Sequence, residues 1–121
     1  MGKQMSFTGL EREYVPRLRS LINRAEDRVD LENHFRHTVA DMLNRIFSAH
    51  KLRISAEDVI FDPGEGEHYS VSRSLFDYEP FRATWENSNL KQVIRGFAHS
   101  AYRRYRHLDR HPEKTEKKIR N

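Results

Sequence analysis

Residues 88–110 read SNLKQVIRGFAHSAYRRYRHLDR, and this stretch decides the fold. Leu90, Val93, Ile94, Phe97, Ala101, Tyr105 and Leu108 recur at steps of three and four, which places them on one stripe of an α-helix. Arg95, His99, Arg103, Arg106 and Arg110 recur in the same way on the opposite face, with Arg104 on the flank. One long helix therefore offers an apolar side for a core and a basic side for water or an anion. Ser88 suits the start, because its hydroxyl can accept a bond from an early helical N–H.

Working outward, the chain of 121 residues is expected to form one domain. Leu18, Leu21, Ile22, Ala25 and Val29 form the apolar stripe of a first helix. Thr8 and Glu11 have capping-box spacing, but Pro16 inside a helix would remove a bond and clash with the preceding turn. The expectation is a short turn at 9–13 and a helix from about Tyr14. A second helix is expected from Asp30, as its cap, to about Ala49. Its apolar face holds Leu31, Phe35, Val39, Met42, Leu43 and Ile46.

The period then changes. Ser55 can cap a turn at Ala56–Asp58. Val59, Ile60 and Phe61 form a β-branched and aromatic run, followed by Asp62-Pro63-Gly64-Glu65-Gly66. Proline fixes φ and glycine permits positive φ, so this is a turn. Tyr69 and Val71 then alternate with His68, Ser70 and Ser72. Two strands around such a turn predict a β-hairpin, which needs backing from helices to persist in water. Leu75, Phe76, Tyr78, Phe81 and Trp85 form an aromatic segment with a short helix, capped by Asp77 and carrying Pro80 in its first turn.

The predicted fold class is α+β, a mainly helical single domain over residues 1–110 with one small antiparallel hairpin packed on the long C-terminal helix. Residues 111–121 lack apolar periodicity and are expected to be a disordered basic tail.

Charge is placed unevenly. The chain carries a formal net charge of +4. Residues 103–121 hold eight Lys/Arg against three Asp/Glu, so the remainder is close to neutral. A basic end on a neutral body suggests an anionic partner. Cysteine is absent, which excludes disulfides and thiolate chemistry. No run reaches the length of a membrane span, and no secretory signal is evident, so a soluble, cytoplasmic protein is expected.

Four constellations carry chemistry. Arg95, His99, Arg103, Arg104, Arg106 and Arg110 can meet successive phosphates, since guanidinium geometry suits phosphate. Tyr102 and Tyr105 lie among them and could stack on unpaired bases. Asp30, His34, His37 and Asp41 fall within about 60° of arc on the second helix and form the candidate metal stripe. Asp58, Asp62, Glu65 and Glu67, beside His68, form an acidic hairpin, a second place for a divalent metal. Arg45 and His50 have a spacing similar to the Arg-x4-His pair of HEPN-type ribonucleases. The resemblance covers six residues, and positions five apart on a straight helix point about 140° apart.

The function expected from these features is a non-enzymatic binding or assembly module, contacting nucleic acid or an acidic protein through the last helix and tail. The alternatives are a small metal-dependent hydrolase or nuclease, and a homodimer with an aromatic interface. No cofactor is predicted beyond that candidate divalent metal.

Overall fold

The computed structural model describes residues 5–110, and among them it holds the predicted α+β fold with a mainly helical body. Helices α1 (Thr8–Asn23), α2 (Arg28–Ile46) and α4 (Leu90–Arg110) pack mutually into a three-helix body. Strands β1 (Val59–Phe61) and β2 (Tyr69–Val71) pair antiparallel, with Val59 opposite Val71 and Phe61 opposite Tyr69. A 3-10 turn at Arg73–Asp77 and helix α3 (Glu79–Glu86) return the chain to α4.

The stripe read from residues 88–110 is the side of α4 that enters the core. Leu90, Val93, Ile94, Phe97, Ala98 and Ala101 are buried against Leu18 and Ile22 of α1 and Leu31, Phe35, Val39, Met42 and Leu43 of α2 within one cluster. Each fully buried large aliphatic or aromatic side chain contributes roughly 1.5–3 kcal/mol relative to exposure. Tyr105 and Leu108 are half-buried at the far end.

Helix α1 corrects two expectations. It begins at Thr8 rather than near Tyr14, with Phe7 as its N-cap and Pro16 inside it. Pro16 lies on the exposed face, so the carbonyl that lacks an N–H partner there is within reach of water. The predicted capping box at Thr8 is replaced by a long-range device. The Phe7 N–H donates to Asn89 Oδ1 at 2.7 Å, and Met5 exchanges backbone bonds with Asn87 and Asn89. The start of α1 is thereby fastened to the start of α4. Ser88 accepts the Leu90 N–H at 3.1 Å and donates to the Thr84 carbonyl at 2.6 Å, joining α3 to α4.

Helix α2 is capped by Asp27, not Asp30. Asp27 Oδ1 accepts the Asp30 N–H at 2.8 Å, and Asp30 itself accepts the Glu26 N–H. Val29 therefore belongs to the first turn of α2 and is exposed rather than buried. Helix α2 stops at Ile46, three residues before the expected end. Asn44 then catches the departing chain, accepting the Ile54 N–H at 2.8 Å and donating to the Ile54 carbonyl at 2.6 Å. Ser55 and Asp58 form a reciprocal capping box around Ala56–Asp58. The short helix α3 follows Tyr78, not Asp77, with a proline in its first turn as expected.

The hairpin rests on two helices. Phe61 of β1 packs on Phe35 of α2 and edge-on to Tyr105 of α4, with ring centroids 5.4 and 5.8 Å apart. Its turn departs from the glycine reading. Among the described residues no glycine has positive φ, and His68 takes that role at φ 69°. Histidine is one of the few side chains enriched in this region. The His68 ring lies on Tyr102 of α4, which offsets the cost of the backbone conformation.

Candidate anion-binding face

Helix α4 is flanked by α1 on one side and the hairpin on the other, leaving a ridge between them. Arg95, His99, Arg103 and Arg106 are exposed along this ridge. From Arg95 to Arg106 the rise is about 16 Å at 1.5 Å per residue. The side chain of Arg110 and residues 111–121, including the predicted tail, lie outside the described residues.

Grooves border the ridge on its hairpin side and on its α1 side. The hairpin-side groove, about 400 Å³, is lined by Gly66, Glu67, His68, Gln92, Arg95, Gly96 and His99. Arg95 faces Glu67 across it at 3.8 Å, with both side chains more than half exposed. Such a pair is worth at most about 1 kcal/mol, so an incoming anion can compete for Arg95. His68 Nδ1 is buried and has no hydrogen-bond partner among the described residues, and its ring is held by the Tyr102 stack. Tyr69 stands at the edge of this region. Burial, reinforced by Glu67 and opposed by Arg95, pushes its phenol up to about 12.

The α1-side groove, about 260 Å³, brings Arg19, Ile22 and Asn23 of α1 against Ser100, Arg103, Arg104 and His107 of α4. Arg104 is half-buried here and does different work from its neighbours. Its Nε donates to the Ile22 carbonyl at 3.1 Å, and its Nη2 donates to the carbonyls of Asn23 and Ala25 at 3.1 and 3.4 Å. These carbonyls lie at and just beyond the end of α1, where that of Ile22 also accepts the Ala25 N–H at 3.2 Å, and a cation there opposes the negative end of the helix dipole. Arg104 is thus a structural clasp as well as part of the lining. Arg19 and Arg103 are exposed and have no carboxylate partner among the described residues, and Arg106 lies over the Tyr102 ring, 6.0 Å from its centroid.

Arg19 was not singled out from the sequence. It sits on the polar face of α1, 84 residues from Arg103, and only the α1–α4 packing joins them. The tyrosines expected to interleave with the arginines are occupied. Tyr102 is covered by His68, while Tyr105 packs on Phe61 and accepts from Arg28.

The predicted metal stripe does not assemble. Among the described residues no group of three or more His, Asp or Glu side chains stands together to hold a metal ion. Asp30 accepts the Glu26 N–H just ahead of α2, and Asp41 accepts from the Tyr14 hydroxyl at 3.0 Å and pairs with Arg17 at 3.3 Å. His34 is half-buried and His37 exposed on the outer side of α2. The acidic hairpin is dispersed likewise: Asp58 closes its capping box, Asp62 accepts from Gly64, and Glu67 faces Arg95. Arg45 is tied to Glu13, and His50 lies beyond the helix end against Phe47 and Tyr78.

The aromatic segment turns inward. Phe81 is fully buried between Phe47, Phe76 and Trp85, and Trp85 also meets Tyr69. The exposed large apolar residues Met5, Val29 and Ile60 come from the segment before α1, the start of α2 and strand β1. No described helix is long and apolar enough to cross a membrane. Comparison with known proteins gives no match, whether to a family model, a curated protein or a solved structure.

Proposed function

We propose that this protein is a binding module that engages the phosphate backbone of nucleic acid through the exposed ridge of α4, extended by Arg19. The observation that carries this reading is the set of exposed arginines, Arg19, Arg103 and Arg106, that no carboxylate among the described residues neutralises. A guanidinium left solvated beside others of the same sign is repelled by them, and a polyanion relieves that repulsion. With Tyr102 and Tyr105 committed to intramolecular packing, the ridge offers phosphate contacts rather than base stacking. The expected binding is therefore tolerant of sequence.

The test is affinity for single-stranded and duplex DNA and RNA across a salt series, using the full chain. Three to four phosphate contacts predict a slope of log K against log salt of about −3. Changing Arg103 or Arg106 to Gln should each lower that slope by about 1. A chain that binds no nucleic acid at low salt, or binds with a flat salt profile, removes this reading. An acidic protein surface would then be the partner to seek.

A further inference from the structure

The ridge suits a continuous backbone, but the groove beside it has a different shape and charge. Arg19, Arg103 and Arg104 all line the α1-side groove, together with Asn23, Ser100 and His107, and among the described residues no carboxylate lines it. Three guanidiniums around about 260 Å³ form a concentration of positive charge larger than one phosphodiester, with its single charge, can balance. The clasp made by Arg104 matters twice. It covers the carbonyls of Ile22, Asn23 and Ala25, which would otherwise present the negative end of α1 to the groove. It also engages Nε and Nη2 alone, so the two Nη1 hydrogens of its five donors are not used by those bonds.

We infer that the groove between the end of α1 and α4 is a seat for a phosphomonoester, the terminal phosphate of a nucleic-acid strand whose backbone lies along the ridge. This inference rests on the backbone reading above. A monoester carries about −1.5 to −2 charge at pH 7 and three acceptor oxygens, which fits three guanidiniums, a hydroxyl and an amide. An internal diester has chain on both sides and two free oxygens, so it fits the open ridge better than a recess. The seat is pre-organised where it matters: Arg104 is fixed by three carbonyls before any ligand arrives. Arg19 and Arg103 supply exposed forks from two different helices.

The experiment compares short single strands ending in hydroxyl with the same strands carrying a 5′ or a 3′ phosphate, at one salt concentration, by fluorescence anisotropy. The full chain, Arg19→Gln and Arg95→Gln are measured in parallel, with melting temperatures confirming that each variant is folded. The expected result is about tenfold tighter binding of a phosphate-ended strand at one of the two ends. Arg19→Gln should abolish that preference, and it should weaken the hydroxyl-ended strand by no more than the loss of one phosphate contact, as Arg95→Gln does. Arg95→Gln, on the other groove, should weaken both strands alike. Equal binding of both kinds of strand, with a steep salt slope, overturns the seat and leaves the backbone reading standing. If neither strand binds, the backbone reading fails, and inorganic phosphate decides the seat by NMR titration. Shifts of the Ser100 and Arg103 amides that vanish in Arg19→Gln sustain it, and unmoved amides overturn it.

Discussion

The imidazole of His68 lies flat on the phenol ring of Tyr102, with centroids 3.9 Å apart and planes within 6°. This contact joins the hairpin turn to α4 and sits beside a backbone held at positive φ. Replacing Tyr102 with Ala should cost about 1–3 kcal/mol from lost stacking and burial. Amide exchange in residues 62–68 should rise more than elsewhere. Tyr102→Phe, which keeps the ring, should stay within about 0.5 kcal/mol of the parent. Equal losses in the two variants would show that the hydroxyl, not the stack, matters.

Arg103 and Arg104 are adjacent in the chain and divide their tasks. Arg104→Ala should destabilise by about 1.5–3 kcal/mol, because three carbonyls at the end of α1 lose a charged donor. Arg104→Lys should recover only part of this, since an ammonium cannot reproduce the fork. Arg103→Gln should change stability by less than about 0.5 kcal/mol and weaken polyanion binding. Thermal unfolding and binding measured on the same samples check both halves.

Tyr69 supplies a pH signature. Its folded-state pKa is raised from 10 to about 12, chiefly by burial, with Glu67 adding to the shift and Arg95 opposing it. The folded state therefore holds this proton more tightly than the unfolded chain. The associated stability is fully present below pH 10 and is lost as pH rises from 10 towards 12. Unfolding by denaturant at intervals across that window should show a steeper decline for the parent than for Tyr69→Phe. Parallel curves would refute the assignment.

Asn44 holds the segment after α2 through both polar groups of Ile54. Asn44→Ala leaves a backbone donor and acceptor unpaired and should cost about 2–3 kcal/mol. Asn44→Asp keeps the acceptor for the Ile54 N–H but sets a carboxylate against the Ile54 carbonyl, so it should not rescue. Urea midpoints of the three proteins provide the comparison.

The helices were legible because burial imposes a period, and the period survives in the residues. The stripe from Leu90 to Ala101 is the clearest case. Helix starts were less legible, because the groups that satisfy them come from afar. Nothing near Thr8 announces that Asn89 accepts the Phe7 N–H, and Pro16 argued locally against a helix that solvent exposure permits. Asp27 and Asp30 have equal claims as caps by type. The choice fell to Asp27, which lets Asp30 bond back to Glu26. The arginine ridge could be read from spacing, whereas its extension could not. Arg19 reaches the site through packing between helices, and Arg104 leaves the ridge because the end of α1 happens to lie within its reach. Glycine in the hairpin turn suggested where φ would be positive, and a ring contact with Tyr102 accompanied that role at His68 instead.

The fastening of β1 has a consequence for self-association. Asp58 and Asp62 bond across the hairpin to Ser72 and His68, so strand alternation turns the N–H and C=O of Val59 outward. Both are already taken: the N–H donates to the Ala56 carbonyl, and the C=O accepts from Arg36 Nε at 3.2 Å. A short strand with an exposed Ile60 would otherwise be a template on which a neighbouring chain could add a strand. Arg36 occupies that part of the edge with a charge, which opposes the addition of a strand from a neighbouring molecule at Val59.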